Sequence, residues 1–212
     1  MIPAMATQIY PANTNIAFVQ VLGDNIANAR NRAVEEAKKI EFAKYLWFVD
    51  DDTVPPRDAA NRLMYLLDNY GPSLGEKVMV AGGIYCMKST PPTPHVFMAS
   101  NDGPYYNWKV GEAFKCWGLG TGCMMINMEL FQYLEPPYFR TIPENCAEAM
   151  SAPDHIATDD LYFCQKVHDA GFDIMADGAV LCQHWDVSKT PPLVYTLPSK
   201  CYPMLARSNS AA

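Results

Sequence analysis

A run of three aspartates directly after a short apolar segment constrains this chain more than any other feature. Tyr45–Val49 reads YLWFV, and Asp50-Asp51-Asp52 follows it without a break. Because side chains alternate along an extended chain, Asp50 and Asp52 should point to one side and Asp51 to the other. Two carboxylates ~6 Å apart repel each other by roughly 2–3 kcal/mol at an effective dielectric constant of about 20. The triplet therefore predicts a divalent cation at the strand end; the alternative is a solvated acidic loop that caps the next helix.

Strand and helix patterns alternate around this triplet. Buried strands are predicted at Ile16–Leu22, Tyr45–Val49 and Val78–Ala81. Helices are predicted from Asp24, as N-cap, to about Lys39 and from about Arg57 to Asn69. This order is typical of a parallel sheet covered by helices, in which ligands bind at the carboxyl ends of the strands.

The second half of the chain is less regular. Prolines and aromatic residues across Ile84–Lys115 predict hairpins or a lid. The further predicted elements are a Gly-punctuated strand region at Trp117–Ile126, a short helix at Glu129–Leu134, a helix at Asp160–Ala170, and strands at Phe172–Ala176 and Val180–His184. A Pro-rich extended tail is expected from 188 to 212. We expect one α/β domain over residues 1–212, with a mostly parallel central sheet flanked by helices and a small hairpin or lid region.

Composition excludes several classes of function. The net charge is −7 and the pI is near 5.0, which argues against binding nucleic acid through a basic face. The apolar runs are too short to span a membrane, and the first residues lack a signal-peptide pattern, so a cytoplasmic protein without a membrane span is expected. The seven cysteines are scattered through apolar contexts and are expected to be buried thiols.

Two known motifs fit the acidic triplet. One is the DxD motif of nucleotide-sugar glycosyltransferases, whose acids bind ribose and the metal that bridges the diphosphate. The other is the DxDx[TV] motif of haloacid-dehalogenase-type phosphohydrolases, which residues 50–54 (DDDTV) match literally. In the hydrolase, Asp50 would be the phosphorylated nucleophile and Asp52 a general acid. That motif normally follows the first strand of its sheet, whereas a strand and a long helix are predicted before the triplet here.

Four segments in order resemble family 2 glycosyltransferases of the GT-A fold. Ala29-Arg30-Asn31 stands where that family has its ARN motif, ahead of the hydrophobic strand and the triplet. Gly118–Phe131 is similar to its Gly-rich strand and short helix. Thr158–Cys164 resembles its xED-xx-F segment, with Asp159 in place of Glu. His184 falls where many GT-A enzymes have a metal-binding histidine. Some phage-encoded and bacterial glycosyltransferases have a similar layout.

The resemblance implies a GT-A-like (Rossmann-like) fold and transfer of a sugar from a nucleotide-diphosphate donor to a hydroxyl acceptor on a glycan, lipid or protein, in the host cytoplasm if the protein is viral. It implies inversion with Asp160 as the base. The implied site residues are Asp50, Asp52 and His184 for Mn²⁺ or Mg²⁺, then Asp50, Asp51, Arg30, Asn31 and Gly120 for the nucleotide sugar, and Asp160 with Asp159 for catalysis.

Each of these residues also has a structural interpretation. Asp159 and Asp160 follow Thr158 and could serve only as first-turn acids of a helix. His184 could be a structural histidine, and Arg30 could pair with Glu35 or another acid of its own domain. Family members have a further strand–helix unit before the strand predicted at residues 16–22, so the nucleotide pocket is expected to be abbreviated or completed from elsewhere. A non-catalytic structural or carbohydrate-binding relative is therefore the third candidate, beside the transferase and the hydrolase.

Overall fold

A five-stranded mixed sheet organises the structure, a computed structural model that describes residues 7–100, 102–141 and 158–197. In chain order its elements are α1 (Ile26–Lys38), β1 (Tyr45–Val49), β2 (Thr53–Val54), α2 (Ala59–Asn69), β3 (Val78–Ile84), β4 (Cys86–Met87), β5 (Thr93–Pro94), β6 (Val96–Phe97), β7 (Ala113–Cys116), β8 (Gly118–Leu119), β9 (Cys123–Asn127), α3 (Asp159–Asp169), β10 (Asp173–Leu181), β11 (Gln183–Asp186) and β12 (Leu193–Tyr195). Short 3₁₀ turns occupy Pro72–Leu74 and Met128–Gln132. Within the described ranges, no helix has the length and apolar character needed to cross a membrane.

The sheet is α/β in class but its strands are mostly antiparallel to their neighbours. The strand order is β1-β9-β3-β10-β7, and three of its four pairs are antiparallel, with β3 and β10 the parallel pair. The predicted mostly parallel sheet is therefore not confirmed. Strands β1, β3 and β10 do run the same way, but β9 lies between β1 and β3 in the opposite direction. The apolar run of β9 is buried on both faces, so its sequence resembles that of a parallel strand.

Alternating side chains of the sheet build two cores, one on each face. In β9, Met124 and Ile126 join a cluster that contains Val34 of α1 and Phe163 of α3. The intervening β9 residues pack on the other face, against Leu63 and its neighbours in α2. Helices α1 and α3 thus cover one face and α2 covers the other, as the period-two pattern of a strand requires.

The strand predicted at Ile16–Leu22 is wrong. Residues 13–22 carry no strand, and Phe18 and Leu22 are each 73% exposed. An apolar β pattern gives a strand only where a neighbouring strand accepts its backbone hydrogen bonds, and no described strand pairs with this segment.

Other boundaries differ in detail. Helix α1 is capped by Asn25, whose side chain accepts a hydrogen bond from the Asn28 amide at 2.9 Å, because Asp24 is engaged by Arg32 instead. The two strands predicted at Phe172–Ala176 and Val180–His184 form one long strand, β10, with a register shift after Asp177, followed by β11. The predicted tail is described only to residue 197. Within that part, β12 pairs with β11; the remainder of the tail lies outside the described residues.

The predicted hairpin region and the buried thiols are present. Short antiparallel pairs, β4 with β5 and β6 with β8, fill the region after β3. The five described cysteines are all buried; Cys146 and Cys201 lie outside the described residues.

The α2 face of the core provides a matched stability test. Leu63 is fully buried, whereas Leu74 is 63% exposed. Leu63→Ala should lower the free energy of unfolding by about 3 kcal/mol, because it leaves a cavity against the sheet. Leu74→Ala, the same change at the surface, should cost under about 0.5 kcal/mol. Urea unfolding measures both, and equal losses would contradict this assignment of the core.

Candidate active site

The predicted functional segments meet in one cleft at the carboxyl end of β1. The cleft has a volume of about 300 Å³ and lies between the end of β1, the start of α1, the start of α3 and the β4–β6 region. Its charged and titratable lining is Arg30, Asp50, Tyr85, Lys88, His95, Asp159, Asp160 and His184. A second cavity of about 340 Å³ lies at the opposite end of β1 beside Lys44 and Asp68, and none of the predicted site residues lines it.

Arg30 lines the cleft and forms ion pairs with two of its acidic segments. It projects from α1 and is 7% exposed. Its Nη2 donates to both carboxylate oxygens of Asp50, at 3.1 and 3.3 Å, and its Nη1 donates to Asp159 at the start of α3. Burial lowers the pKa of Arg30, but the nearby aspartates outweigh it and raise that pKa above its usual value. Arg30 therefore pairs with acids of the cleft and not with Glu35, the neighbour on its own helix.

Asp159 and Asp160 open α3 and are both buried. Burial raises the pKa of Asp159, and the Arg30 guanidinium opposes that rise. Asp160 accepts hydrogen bonds from the Thr158 hydroxyl and from the Leu161 amide. These acids thus occupy the first turn of a helix, where its dipole favours negative charge, and they also line the cleft.

Two further side chains, His95 and Tyr85, are linked in series to Asp160. His95 Nε2 lies 3.4 Å from the Asp160 Oδ2, and His95 Nδ1 lies 3.1 Å from the Tyr85 hydroxyl. The Gly122 amide donates to the same hydroxyl at 3.4 Å. Burial lowers the pKa of His95 and raises that of Tyr85, so both side chains are neutral at neutral pH. With Nδ1 accepting from Tyr85, Nε2–H of His95 points at the carboxylate.

Asp52 is the centre of a second charged group. Its Oδ2 contacts the Lys88 ammonium at 2.6 Å and His184 Nε2 at 3.3 Å. Burial raises the pKa of Asp52, but hydrogen bonds from His184 and Lys88 outweigh it and hold the pKa well below its usual value. His184 Nδ1 lies 2.7 Å from the Cys86 carbonyl oxygen, which can only accept, so Nδ1 carries a hydrogen.

The geometry around Asp52 fits two ligands of a divalent cation. In the neutral imidazole, a protonated Nδ1 leaves a lone pair on Nε2, and that lone pair faces a carboxylate oxygen. Two such acceptors 3.3 Å apart require a proton or a cation between them. Asp50 does not join this pair, because Arg30 holds its carboxylate. Across residues 7–100, 102–141 and 158–197, no three His, Cys, Asp or Glu side chains converge as a metal group, so the predicted three-ligand site stays a prediction.

Four of the predicted site residues lie outside the cleft lining: Asp52, which contacts the lining residues Lys88 and His184, and Asn31, Asp51 and Gly120. The Asn31 side chain accepts from the Tyr138 and Phe139 amides and donates to the Phe139 carbonyl, so it fastens a loop to α1. Asp51 is exposed on the turn after β1. Gly120 is buried behind Tyr85 and His95, where a side chain would strike both rings.

Sequence reasoning missed Lys88, His95 and Tyr85, all of which line the cleft. Tyr85 and Lys88 follow β3, which runs in the same direction as β1 on the other side of β9, so the carboxyl ends of both strands lie at the edge where the triplet lies. A cation just after a buried strand was the available signal for Lys88. His95 lies between two-residue strands in a region with no periodic pattern, and nothing in the sequence pointed to it.

The Arg30 contacts generate a stability prediction. Arg30→Met should destabilise the protein by about 3–5 kcal/mol, because it leaves two carboxylates without their cation, and one of them, Asp159, is buried. Arg32→Met, two positions along the same helix, removes a 59% exposed arginine that pairs with Asp24 and should cost no more than about 1 kcal/mol. Urea unfolding near pH 7 compares them, and a small loss for Arg30→Met would contradict the bridging role.

The Asp52 contacts generate a pH prediction. A carboxyl whose folded pKa is depressed stabilises the fold above its unfolded pKa of about 4, and that stability disappears as the pH falls through the folded pKa. Asp52→Asn should therefore destabilise the protein near pH 7, and the difference from wild type should shrink on acidification below about pH 4. Urea unfolding across this range tests it, with the exposed neighbour Asp51→Asn as control; a pH-independent difference would refute the ion-pair assignment.

Comparison with known proteins shows a likeness of fold to solved structures. None of the protein-family models matches this chain, and no curated protein does either. Among solved structures, the chain is similar to the crystal structure of A197 from STIV, a viral protein, with a TM-score of 0.57 and 18% sequence identity. The alignment covers 83% of this chain and 78% of A197. At this identity the likeness concerns the fold alone, and it extends over most of both chains.

Proposed function

We propose that this protein is a glycosyltransferase that moves a sugar from a nucleotide-diphosphate donor to a hydroxyl acceptor. One observation carries the proposal: a single cleft of about 300 Å³ is lined by the acid after β1, the two acids of α3, and the cations Arg30 and Lys88. A transfer from a diphosphate needs a carboxylate at the acceptor side and positive charge at the leaving-group side. The ordered resemblance to family 2 transferases supports the same assignment.

Asp160 is the proposed base. The acceptor oxygen attacks the anomeric carbon, the bond from that carbon to the diphosphate oxygen breaks, and the acceptor proton passes to the Asp160 carboxylate. A carboxylate is basic enough because the anomeric centre is already cationic in the transition state, so the proton leaves late. Hydrogen bonds from Thr158 and the Leu161 amide, together with the nearby His95 ring, orient the carboxylate. Attack opposite the leaving group gives inversion.

Arg30 and Lys88 would contribute positive charge on the donor side. Asp52 and His184 would hold Mn²⁺ or Mg²⁺, which supplies charge neutralisation for the leaving diphosphate when bound. Arg30 keeps the Asp50 and Asp159 carboxylates in place, so its guanidinium acts mainly as a positioning group. The acceptor class stays open among glycan, lipid and protein hydroxyls.

A phosphohydrolase is the second candidate. One observation favours it: with no strand at residues 16–22, the triplet follows the first described strand, as the hydrolase motif does. The site chemistry weighs against it. Asp50, the required nucleophile, has both oxygens hydrogen-bonded to Arg30. Asp52, the required general acid, has a depressed pKa and would be ionised when it must donate a proton.

Asp160→Asn tests the proposed base. The variant should still gain thermal stability from the same nucleoside diphosphate with Mn²⁺ as wild type does, since ligand binding raises the melting temperature by mass action. Its rate of nucleoside diphosphate release from the matching sugar donor should fall by about 10²–10⁴-fold, the usual contribution of a general base. Asp169→Asn, an exposed acid at the other end of α3, is the control and should keep both properties.

Three outcomes separate the candidate functions. Normal turnover by Asp160→Asn removes that residue as base. Phosphate release from an aryl phosphate by wild type, with a BeF₃ adduct on Asp50, would replace the transferase with the hydrolase. No stabilisation by any nucleoside diphosphate and no turnover would identify a non-catalytic relative of the fold.

A further inference from the structure

Lys88 contacts the Asp52 oxygen that a divalent cation held by Asp52 and His184 would need. Its Nζ lies 2.6 Å from Asp52 Oδ2, and His184 Nε2 lies 3.3 Å from that same oxygen. The backbone supports this grouping: His184 Nδ1 is fixed on the Cys86 carbonyl, two residues before Lys88, and the Trp185 amide donates to the Asp52 carbonyl at 2.8 Å. One carboxylate oxygen thus receives an ammonium from the β4 side and faces an imidazole from β11.

The ammonium and a divalent ion exclude each other at this oxygen. A cation bound between Asp52 and His184 would come within a few ångströms of Nζ, and two positive charges at that distance repel each other. Lys88 must therefore leave Asp52 before the ion can bind there. The lysine has a flexible four-carbon stem and is 33% exposed, so it can move. Arg30, in contrast, is 7% exposed and held by two carboxylates.

We propose that Lys88 is a resident counter-cation that competes with the divalent ion for Asp52 and, once displaced, binds the diphosphate of the donor. The second step, binding of Lys88 to the diphosphate, rests on the proposed function. The first step, competition for Asp52, concerns the metal alone. Lys88 lines the same cleft as Asp50 and Asp160, so an ammonium released from Asp52 stays within it. Three donors on a mobile stem suit the oxygens of a diphosphate. Binding of the metal and binding of the diphosphate would then be coupled. The metal displaces the Lys88 ammonium from Asp52, and the diphosphate provides that ammonium with a new anionic partner.

Mn²⁺ binding in the absence of nucleotide tests the competition directly. Titration followed by the electron paramagnetic resonance signal of free Mn²⁺ gives the affinity of wild type, Lys88→Met and Lys115→Met. Lys88→Met should bind Mn²⁺ at least about fivefold more tightly than wild type, because a competing positive charge has been removed. Lys115 is the matched control: its Nζ lies 2.7 Å from Asp173, the same kind of pair outside the cleft, and Lys115→Met should bind as wild type does.

A double-mutant comparison shows whether Lys88 acts through Asp52. Asp52→Asn should lose Mn²⁺ affinity, and adding Lys88→Met to it should not restore tight binding. With saturating Mn²⁺, Lys88→Met should bind the nucleoside diphosphate that stabilises wild type about tenfold more weakly, because one charge-assisted contact is gone. Circular dichroism melting of each variant checks that it is folded.

The outcomes for this inference and for the proposed function are distinguishable. Unchanged or weaker Mn²⁺ affinity in Lys88→Met, or no Mn²⁺ binding by wild type and Lys88→Met alike, overturns the competition. Tighter Mn²⁺ binding with unchanged diphosphate affinity overturns the second step and leaves the first. If wild type binds Mn²⁺ in competition with Lys88 but no nucleoside diphosphate binds, the proposed function fails while the competition stands.

Discussion

The bridge from Arg30 to Asp50 and Asp159 is the interaction on which the rest of the cleft depends. It joins the first helix to the end of β1 and to the start of α3, which lies 129 residues further along the chain. Without a shared cation, carboxylates brought together by β1 and α3 would repel each other and resist burial. The Arg30 guanidinium pairs with both carboxylates at once. It thereby joins the elements on the two sides of the cleft, and these sides carry different functional groups.

The charge balance of that cleft makes an added cation necessary for the proposed reaction. The acids that line it are Asp50, Asp159 and Asp160, and Asp52 lies beside them in contact with Lys88; the permanent cations are Arg30 and Lys88. Such a site repels a diphosphate unless positive charge enters with it. Burial raises the pKa of Asp159, which eases the imbalance but does not reverse it. A divalent ion held by Asp52 and His184 would supply that charge, since His184 Nε2 lies 3.3 Å from Asp52 Oδ2.

Local patterns predicted the local features of the site correctly. The apolar run before the triplet is β1, and the acids after Thr158 begin α3 within one residue of the expected boundary. Features that depend on which strands become neighbours could not be predicted. The apolar residues of β9 fit a parallel or an antiparallel strand equally well, and Ile16–Leu22 has a strand pattern without a partner. Lys88 becomes informative only once β1 and β3 are known to flank β9 and to run in the same direction, because that arrangement brings the residues after β3 to Asp52.

Gly120 illustrates how a residue predicted for one role can serve the same site through another. A β carbon there would collide with the Tyr85 hydroxyl and lie 2.5 Å from His95 Nδ1. A β carbon at Gly122 would lie 2.9 Å from two carbons of the Tyr85 ring. The Gly-rich segment therefore lets the buried Tyr85 ring and the partly buried His95 ring pack directly against the backbone, with His95 Nε2 directed at Asp160. In the proposed transfer, this segment helps to orient the base. Its glycines allow the Tyr85 and His95 rings to pack closely, and the position of the His95 ring in turn determines where the Asp160 carboxylate can receive a proton.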